Sequence, residues 1–374
     1  MSSKPRFVEE CGRVKLNEIC SKGKSSLRQK DVFNDGPYIV YGASGVIGTT
    51  SDYQNEIPYV AIVKDGAGVG RANACEPMTS VLGTMQALIP NPNVERDYLL
   101  HLVRSLRLGE GFSGSTIPHI YFKDYGRIEV PLPPLGAQKR IVSQLGLVEA
   151  QITQAEAQIE QLDRLVKSRF IEMFGDLSGY ESRTLKECVS GIESGKSPKC
   201  LAKPREGNNP GVLKLSAISS GIYKETENKA LPSDAKATDG RVVCDGDILL
   251  ARKNTPELVG QSVFVNHTDG NIMFPDIVFR MHAKYEVDGV YLSYALAHPL
   301  AGAIKSLAHG SAKSMSNIPK SELVRLPIPL PPLALQREFA TFVSQVDKSR
   351  FIAQQQIEKL QMLYNSLAQD YFGD

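Results

Sequence analysis

Two stretches of the chain carry mainly apolar residues at alternating steps of three and four. The first set is Leu145, Val148, Ile152, Ala155, Ile159, Leu162 and Val166, and the second is Val343, Val346, Ala353, Ile357, Leu360 and Tyr364, with the charged Arg350 at one step. The mean period is 3.5 residues, which predicts helices that meet along a coiled-coil seam. Each stretch fits a helix of about 38 residues, or about 57 Å at 1.5 Å per residue.

Prolines precede both predicted helices, and a glycine follows each of them. Pro133-Pro134 and Pro331-Pro332 suit the first turn of a helix, where a missing N–H costs no hydrogen bond. Phe-Gly-Asp closes each stretch, and glycine is frequent where a helix ends. The obvious partner for each seam is the other helix, in an antiparallel pair. The alternative is two separate helices, each docked on its own domain.

The two helical stretches are copies of one sequence. Residues 127–176 align without a gap to residues 325–374, and 18 of the 50 aligned pairs are identical. We call these two copies the repeated frame. Each contains Pro-Leu-Pro-Pro-Leu with a glutamine three residues later, Gln138 or Gln336. A repeated frame joined to two unlike segments predicts a protein that performs one kind of task on two different targets.

The unlike segments, 1–126 and 177–324, share a common plan. Apolar runs at 58–63 and 247–251 predict a strand in each, followed by a polar turn, and short helices begin near Tyr98 and Tyr291. We predict an α+β fold in which two α/β domains are joined by two long helices forming an antiparallel coiled coil, a pseudo-twofold tandem repeat. The predicted domain boundaries are 1–127, 128–176, 177–325 and 326–374.

Composition narrows the class of protein. With 374 residues, 42% of them hydrophobic and 22% charged, the chain suits two or three globular domains. It has no apolar run of about 18 residues and no signal-peptide core at its start, so a cytoplasmic location is expected. The six cysteines show no Cys-x-x-Cys spacing, which favours reduced thiols over a zinc site or disulfides.

The net charge of +2 is unevenly distributed along the chain. Residues 1–127 carry +2 and residues 177–325 carry +3, whereas residues 128–176 and 326–374 carry −2 and −1. The slightly basic unlike segments are compatible with DNA contact, but ordinary solvated surfaces explain these charges equally well.

The repeated Pro-Leu-Pro-Pro-Leu-x-x-Gln before a long helix, together with the two Phe-Gly-Asp ends, resembles the specificity (S) subunit of type I restriction–modification systems, over essentially the whole chain. The resemblance implies two target-recognition domains that bind the two halves of a bipartite, asymmetric DNA sequence. It also implies docking of two methyltransferase (M) subunits and of restriction (R) subunits, in a bacterial or archaeal cytoplasm.

We accordingly expect a non-catalytic DNA-recognition subunit whose coiled coil sets the spacing of the half-sites. S-adenosylmethionine, ATP and Mg are then expected in partner subunits. Two alternatives are a stand-alone DNA methyltransferase and a coiled-coil adaptor unrelated to DNA. Missing motifs disfavour the first, and the divergence of the two domains disfavours the second.

Candidate catalytic motifs are weak. The glycines between Lys64 and Arg71 resemble a nucleotide or S-adenosylmethionine loop, but the following residues leave no room for a helix, so a strand-to-strand turn is predicted. The chain has no Asn/Asp-Pro-Pro-aromatic motif, and its Glu227-x-Lys229 precedes Pro275-Asp276, the wrong order for a nuclease. The histidines show no metal-ligand spacing. We expect no catalytic, cofactor or metal site in this chain.

Polar and basic residues beside the predicted strands are the candidates for DNA contact, because such side chains bind base edges and phosphates. In the first segment they are Lys64, Arg71, Ser113, Ser115, Thr116 and His119, and the resemblance assigns Lys64 and Arg71 to phosphates. In the second they are Lys196, Lys199, Arg252, Lys253, Asn254, Lys313, Ser314 and Asn317. For each residue alone, simple surface solvation is an equally good explanation.

Overall fold

The structure, a computed structural model, describes residues 11–66, 68–110, 118–237, 240–310 and 315–373. The chain forms two compact units. Unit 1 consists of Met1–Ile159 and Ile352–Asp374, and unit 2 consists of Glu160–Phe351. Each unit therefore contains part of both copies of the repeated frame.

Unit 1 combines short strands with small helices and begins the first long helix. Its strands are β1 (Arg13–Lys15), β2 (Cys20–Lys22), β3 (Tyr38–Gly42), β4 (Gly45–Thr50), β5 (Tyr59–Val63), β6 (Ala72–Cys75), β7 (Ser80–Val81), β8 (Met85–Pro90) and β9 (Glu129–Pro131). Its helices are α1 (Leu16–Ile19), α2 (Arg96–Ser105), α3 (Phe122–Tyr125) and the start of α4 (Leu135–Phe174).

Unit 2 repeats this composition and adds two small strands. Its strands are β10 (Ser182–Thr184), β11 (Val189–Ser194), β12 (Gly211–Leu213), β13 (Asn228–Ala230), β14 (Ile248–Ala251), β15 (Lys253–Asn254), β16 (Ser262–Phe264), β17 (Ile272–Met273), β18 (Val278–Ala283), β19 (Ser316–Asn317) and β20 (Pro327–Pro329). Its helices are α5 (Leu185–Cys188), α6 (Ser216–Ser219), α7 (Gly289–Ala297), α8 (Ala301–Ser306), α9 (Lys320–Leu323) and the start of α10 (Leu333–Phe372).

The sheets of the two units have the same topology. Unit 1 has the orders β2-β8-β5-β6, β4-β3-β7 and β1-β9, and unit 2 has the orders β11-β18-β14-β16, β13-β12-β17 and β10-β20. The two three-stranded sheets each combine one antiparallel and one parallel pair. The prediction of one α+β fold in both segments is confirmed.

The central strand of each larger sheet is buried on both faces. In β5, Val60 and Ile62 pack with α2, whereas Tyr59, Ala61 and Val63 belong to a second core that includes Val81 and Met85. All residues of β14 are also buried, and they too are shared between two cores. Burial on both faces explains why these strands appeared in the sequence as continuous apolar runs.

The two long helices run antiparallel to each other within each unit. In unit 1, Ile141 and Leu145 near the start of α4 share a core with Ala368 and Tyr371 near the end of α10. In unit 2 the ring centroids of Phe170, near the end of α4, and Phe339, near the start of α10, are 5.3 Å apart. The predicted antiparallel pairing is confirmed, and the alternative of two separate helices is wrong.

The apolar stripe faces this pairing. Every seam position predicted from the heptad pattern is buried or half-buried, from Leu145 to Val166 and from Val343 to Tyr364. Leu147 and Leu165, which lie outside the stripe on the same helix, are exposed. The side chains that the 3.5-residue period excludes are thus left to solvent.

The glutamine after Pro-Leu-Pro-Pro-Leu attaches each long helix to its domain. Gln138 is 1% exposed. Its Oε1 accepts a hydrogen bond from the Glu95 N–H at 2.8 Å, and its Nε2 donates to the Pro133 and Asn93 carbonyls at 2.8 and 2.9 Å. Glu95 caps α2, so this one side chain joins the start of α4 to the start of α2.

Unit 2 contains the same attachment. Gln336 accepts from the Asp288 N–H at 2.9 Å and donates to the Pro331 carbonyl at 2.7 Å. Asp288 caps α7 as Glu95 caps α2. The Tyr291 hydroxyl also donates to the Pro329 carbonyl at 2.8 Å. The repeated motif therefore attaches each long helix to the capped helix of its own unit, and the glutamine makes equivalent hydrogen bonds in both units.

Candidate nucleic-acid interface

The turn after β5 is held by two other segments of unit 1. The N–H groups of Lys64 and Asp65 both donate to the Thr84 carbonyl, at 3.0 and 3.2 Å. The N–H of Ile120 donates to the Lys64 carbonyl at 3.0 Å. The segment that leads into the repeated frame is thereby fixed beside the residues that follow the buried strand. We call residues 64–71 the unit 1 turn.

The turn after β14 has the same hydrogen bonds. The N–H groups of Arg252 and Lys253 donate to the Ile277 carbonyl at 2.9 and 3.2 Å, and the Ile318 N–H donates to the Arg252 carbonyl at 3.0 Å. Here the segment before the frame forms β19, which pairs with β15 so that Lys253 lies opposite Asn317. We call residues 252–255 the unit 2 turn. In both units, candidates distant in sequence become neighbours.

Two side chains at the unit 1 turn bind each other. His119 Nδ1 lies 2.6 Å from Asp65 Oδ1, which places a hydrogen-bonded imidazole–carboxylate pair at the turn. The His119 ring is stacked with Tyr121, and the Lys123 ammonium lies 5.3 Å from the centroid of that tyrosine ring. Half-exposed Lys64 adds a second cation beside this group.

The glycines of the unit 1 turn shape a hairpin. The turn joins the antiparallel strands β5 and β6, and Gly66, Gly68 and Gly70 have φ angles of 88, 89 and 86°, which favour glycine. Gly70 also packs against Gly109, whose backbone nitrogen would lie 2.3 Å from an added Cβ. The prediction of a strand-to-strand turn is confirmed. Arg71 ends the turn, and its Nε donates to the Gly68 carbonyl at 3.3 Å.

The unit 2 turn contains polar atoms without partners among the described residues. The Arg252 guanidinium lies 5.2 Å from the centroid of the Phe279 ring, and its buried Nε has no hydrogen bond. Asn254 is 5% exposed; its Oδ1 accepts from the Thr255 N–H at 2.9 Å, but its Nδ2 is unpaired. Asn317 Oδ1 is unpaired too. Each such group costs about 1–3 kcal/mol, so three together call for an explanation.

The remaining lysine candidates lie on the loop after β11. Lys196 and Lys199 are exposed, and the Lys196 N–H donates to the Phe274 carbonyl at 3.1 Å. Between them, Ser197 is hydrogen-bonded to Asp276, whose neighbour Ile277 anchors the unit 2 turn. The loop that carries these lysines is therefore linked to the unit 2 turn through the 275–277 segment.

Ser113, Ser115, Thr116, Lys313 and Ser314 lie outside the described residues. Among the others, the structure brings Lys64 and His119 together in unit 1 and Arg252, Lys253, Asn254 and Asn317 together in unit 2. Arg71 lies at the far end of the unit 1 turn, next to β6.

The residues that build these turns were not predicted from the sequence. Asp65, which binds His119, lies beside the predicted Lys64, and Asp276 was considered only for nuclease chemistry. Thr84 and Ile277 contribute backbone carbonyls, for which no side-chain pattern exists. The one available signal was position, since each immediately precedes a strand of the larger sheet.

Charged groups inside unit 2 are paired across its larger sheet. A hydrogen bond from Arg280 lowers the pKa of Glu193, whereas burial raises the pKa of Asp247, which is fully buried. The Asp247 Oδ2 accepts from the Cys244 N–H at 2.8 Å. These groups connect β11, β14 and β18, so they serve the sheet that presents the turn.

Within the described ranges, no group of three or more His, Cys, Asp and Glu side chains is arranged to hold a metal ion. No helix among these residues is long and apolar enough to cross a membrane.

Comparison with known protein families matches residues 9–164 to the type I restriction modification DNA specificity domain. This segment, which is less than half of the chain, is similar to the type I restriction–modification DNA specificity family. The match covers most of unit 1, including the unit 1 turn and much of the first frame copy.

Individual relatives extend the likeness to this family. The chain is 34% identical over 161 residues to the EcoEI specificity subunit of Escherichia coli, covering 42% of this chain and 27% of that protein. It is 21% identical over 305 residues to the EcoKI specificity subunit of Escherichia coli (strain K12), covering 75% and 65% of the two chains. The matches thus span less than two thirds of either relative.

A solved structure shares the fold. The S subunit of the type I restriction–modification system from M. genitalium matches with a TM-score of 0.56 and 14% sequence identity, covering 100% of both chains. This likeness supports the α+β fold with its two long helices.

Proposed function

We propose that this chain is the DNA specificity subunit of a type I restriction–modification complex and carries no catalytic site of its own. The observation that carries the proposal is the pair of turns: the same backbone hydrogen bonds present different side chains in unit 1 and unit 2. The match of residues 9–164 to the specificity domain and the names of the relatives support the same task.

Each unit binds one half of a bipartite, asymmetric DNA target. In unit 2, the half-exposed Arg252, Lys253 and Asn317 contact base edges, and the buried Asn254 shapes the turn that carries them. In unit 1, Lys64 and Arg71 contact phosphates, and the hydrogen bond to Asp65 fixes the orientation of the His119 ring. Sharing one scaffold explains how two recognition surfaces could diverge without loss of fold.

The paired helices set the distance between the half-sites and dock the partners. Each helix has 40 residues, or about 60 Å at 1.5 Å per residue. Two methyltransferase subunits and the restriction subunits bind this chain and contribute S-adenosylmethionine, ATP and Mg. The partners also supply phosphate contacts that a chain with a net charge of only +2 lacks.

Exchange of one segment tests the assignment of the half-sites. Residues 1–126 are replaced by the matching segment of a relative, and the methylated sites are sequenced in cells that carry the partner subunits. We expect one half of the target to change and the other half to stay. A target changed in both halves, or in neither, contradicts the proposal. Binding of S-adenosylmethionine by the isolated chain would instead favour a methyltransferase.

Deletion of one heptad from each long helix tests the spacing. The helix pair shortens by about 10 Å, which corresponds to about three base pairs of DNA. The spacer between the half-sites should shorten, or methylation should be lost. An unchanged target at full activity would rule out the helices as the determinant of spacing.

A further inference from the structure

Charged pairs join the two long helices in unit 2. Arg350, the one charged residue of the seam stripe, binds Asp163 of the other helix and Asp347 of its own, with its side chain 16% exposed. Arg169 of α4 binds Glu338 of α10, with Nη2 to Oε1 at 2.8 Å. These contacts lie where the end of α4 meets the start of α10.

The repeated frame has a residue in each copy that is equivalent to each of these four charged residues. Subtracting or adding 198 gives the residue that the other copy carries at the same position. These counterparts are Ile152 for Arg350, Gln361 for Asp163, Leu367 for Arg169 and Arg140 for Glu338. None of the four charged residues is matched by a residue of the same charge.

Two α4 helices, one from each of two chains, would pair badly in this antiparallel register. Asp163 would then lie opposite Ile152 in place of Arg350. Arg169 would lie opposite Arg140 in place of Glu338, and the twofold symmetry of such a pair would create this like-charge contact twice. Placing like charges together disfavours the pair, which is how specific helix pairs exclude wrong partners.

Two α10 helices would also pair less well than the observed combination. Arg350 would lie opposite Gln361 and keep only Asp347 of its own helix as an anionic partner. Glu338 would lie opposite Leu367. A mostly buried guanidinium that loses a carboxylate partner is costly, because the attraction that offset its desolvation is reduced. Both like pairings are therefore weaker than the unlike one.

The equivalent positions in unit 1 do not discriminate in this way. There the counterparts of Arg350 and Asp163 are uncharged: Ile152 is half-buried and Gln361 is exposed, so this central charge pair has no equivalent. The choice of partner is concentrated in the half of the seam that belongs to unit 2.

We propose that Asp163, Arg169, Glu338 and Arg350 restrict each long helix to pairing with the unlike copy. The occupant selected by the surface of α4 is α10, and the partner excluded is the same helix of a second chain. Each chain then pairs its own two copies of the frame and does not exchange long helices with a second chain. This inference concerns helix pairing and does not depend on DNA binding.

The test uses the full chain with a protease site inserted at the exposed residues Ser178 and Gly179, between α4 and β10. After cleavage the two parts are held together only by noncovalent contacts. They are separated in denaturant and allowed to reassemble, and native mass spectrometry counts unlike and like pairs. For the natural sequence we expect the ratio of unlike to like pairs to exceed its statistical value by about tenfold or more.

The symmetrised variant, Asp163→Gln with Arg350→Ile and Arg169→Leu with Glu338→Arg, gives each position the residue of the other copy. All three helix pairings then contain the same residues at these contacts. We expect the distribution to approach the statistical one. The charge-reversed variant Asp163→Arg with Arg350→Asp should retain unlike pairing. Glu160→Gln with Lys348→Gln removes one charge of each sign from exposed positions and serves as the control.

If the symmetrised variant keeps the ratio of unlike to like pairs that the natural sequence shows, the proposal is overturned. If the cleaved parts fail to reassemble, the uncleaved chains decide the question by sedimentation at rising concentration. The symmetrised chain should then form dimers at concentrations where the natural and control chains do not. Equal dimer fractions in all three chains would also overturn it.

Discussion

The unit 1 turn and the unit 2 turn have the same backbone hydrogen bonds but opposite side-chain character. At the first, Asp65 and His119 bind each other. At the second, Arg252, Asn254 and Asn317 retain polar atoms without partners among the described residues. In both units the fold holds its candidate recognition turn through carbonyl and N–H groups. Side chains on the turns can therefore change without loss of the fold.

The largest expected effect concerns what the two units share. Gln138→Ala leaves the Glu95 N–H and two carbonyls unpaired in a buried place. We expect a loss of about 2–4 kcal/mol in the free energy of unfolding, measured in urea. The matching Gln336→Ala should cost a similar amount.

Exposed Gln151→Ala is the control for these two variants. Strongly unequal losses from Gln138→Ala and Gln336→Ala would show that the two attachments are not equivalent. The two turns would then not be held by equivalent scaffolds.

The second prediction concerns DNA and uses the assembled complex. Arg252→Ala should weaken binding of the cognate target by about 10- to 100-fold and relax selection at one position of one half-site. Lys64→Ala should weaken binding of all sequences alike and reduce the salt dependence of the affinity by about one unit of slope.

Exposed Lys186→Ala provides the control, and affinities are measured on paired cognate and altered duplexes at several salt concentrations. The opposite assignment, with Lys64 selective and Arg252 unselective, would reverse the contrast between the turns. An Arg252→Ala chain that binds as the natural one does would remove Arg252 from the interface.

The third prediction breaks the closed turn. Asp65→Asn keeps the shape of the side chain but removes the charge that strengthens its bond to His119. We expect a local loss of about 1–2 kcal/mol. Hydrogen exchange of the Gly66 and Ile120 amides should quicken, while the Ile318 amide of unit 2 stays as protected as before. Exposed Asp124→Asn should change neither; uniform quickening in both units would contradict a local role.

The smallest effect is the part of the pH dependence that arises from His101 in unit 1. Burial lowers the pKa of His101, whose Nδ1 lies 2.8 Å from the Tyr364 hydroxyl, and Glu149, Arg104 and Asp97 are the charged groups that act on it. The unfolded chain, with a histidine pKa of about 6.5, takes up the proton more readily. Stability is therefore present above that pH and falls as the pH drops below it, by less than about 1.4 kcal/mol per unit of pH.

His101→Gln should weaken the pH dependence of stability between about pH 7 and 5, measured from urea midpoints, and leave the part due to His298 of unit 2, whose pKa is also lowered by desolvation. The equivalent residue of unit 2 is Tyr294, three positions after Tyr291 as His101 is three after Tyr98. Burial raises the pKa of Tyr294 to about 12, so it does not titrate in this range. An unchanged slope in the His101→Gln chain would contradict the assignment.

Local patterns in the sequence were sufficient for the frame and for much of the scaffold. The heptad stripe predicted both long helices and their seam. The prolines before the first helix and the glycine after it predicted ends close to Leu135 and Phe174. The apolar runs predicted β5 and β14. These features depend on residues a few positions apart, so periodicity and turn chemistry reveal them.

The partners of those elements depended on contacts between distant residues. That Gln138 binds the cap of α2, or that Arg350 binds Asp163, follows from no spacing in the chain. Asn254 was predicted as a surface contact, yet it is almost fully buried, because β15 pairs with β19 from more than 60 residues away.

The sequence by itself determined that this protein is a repeat, that its copies are helical and that its unlike segments share one fold. The tertiary structure alone decided which turn is closed by its own side chains and which keeps polar atoms unpaired. The physical reason is one of range. Helix and strand periods are set by neighbouring residues, whereas hydrogen-bond satisfaction and burial are set by whatever segment the fold brings alongside.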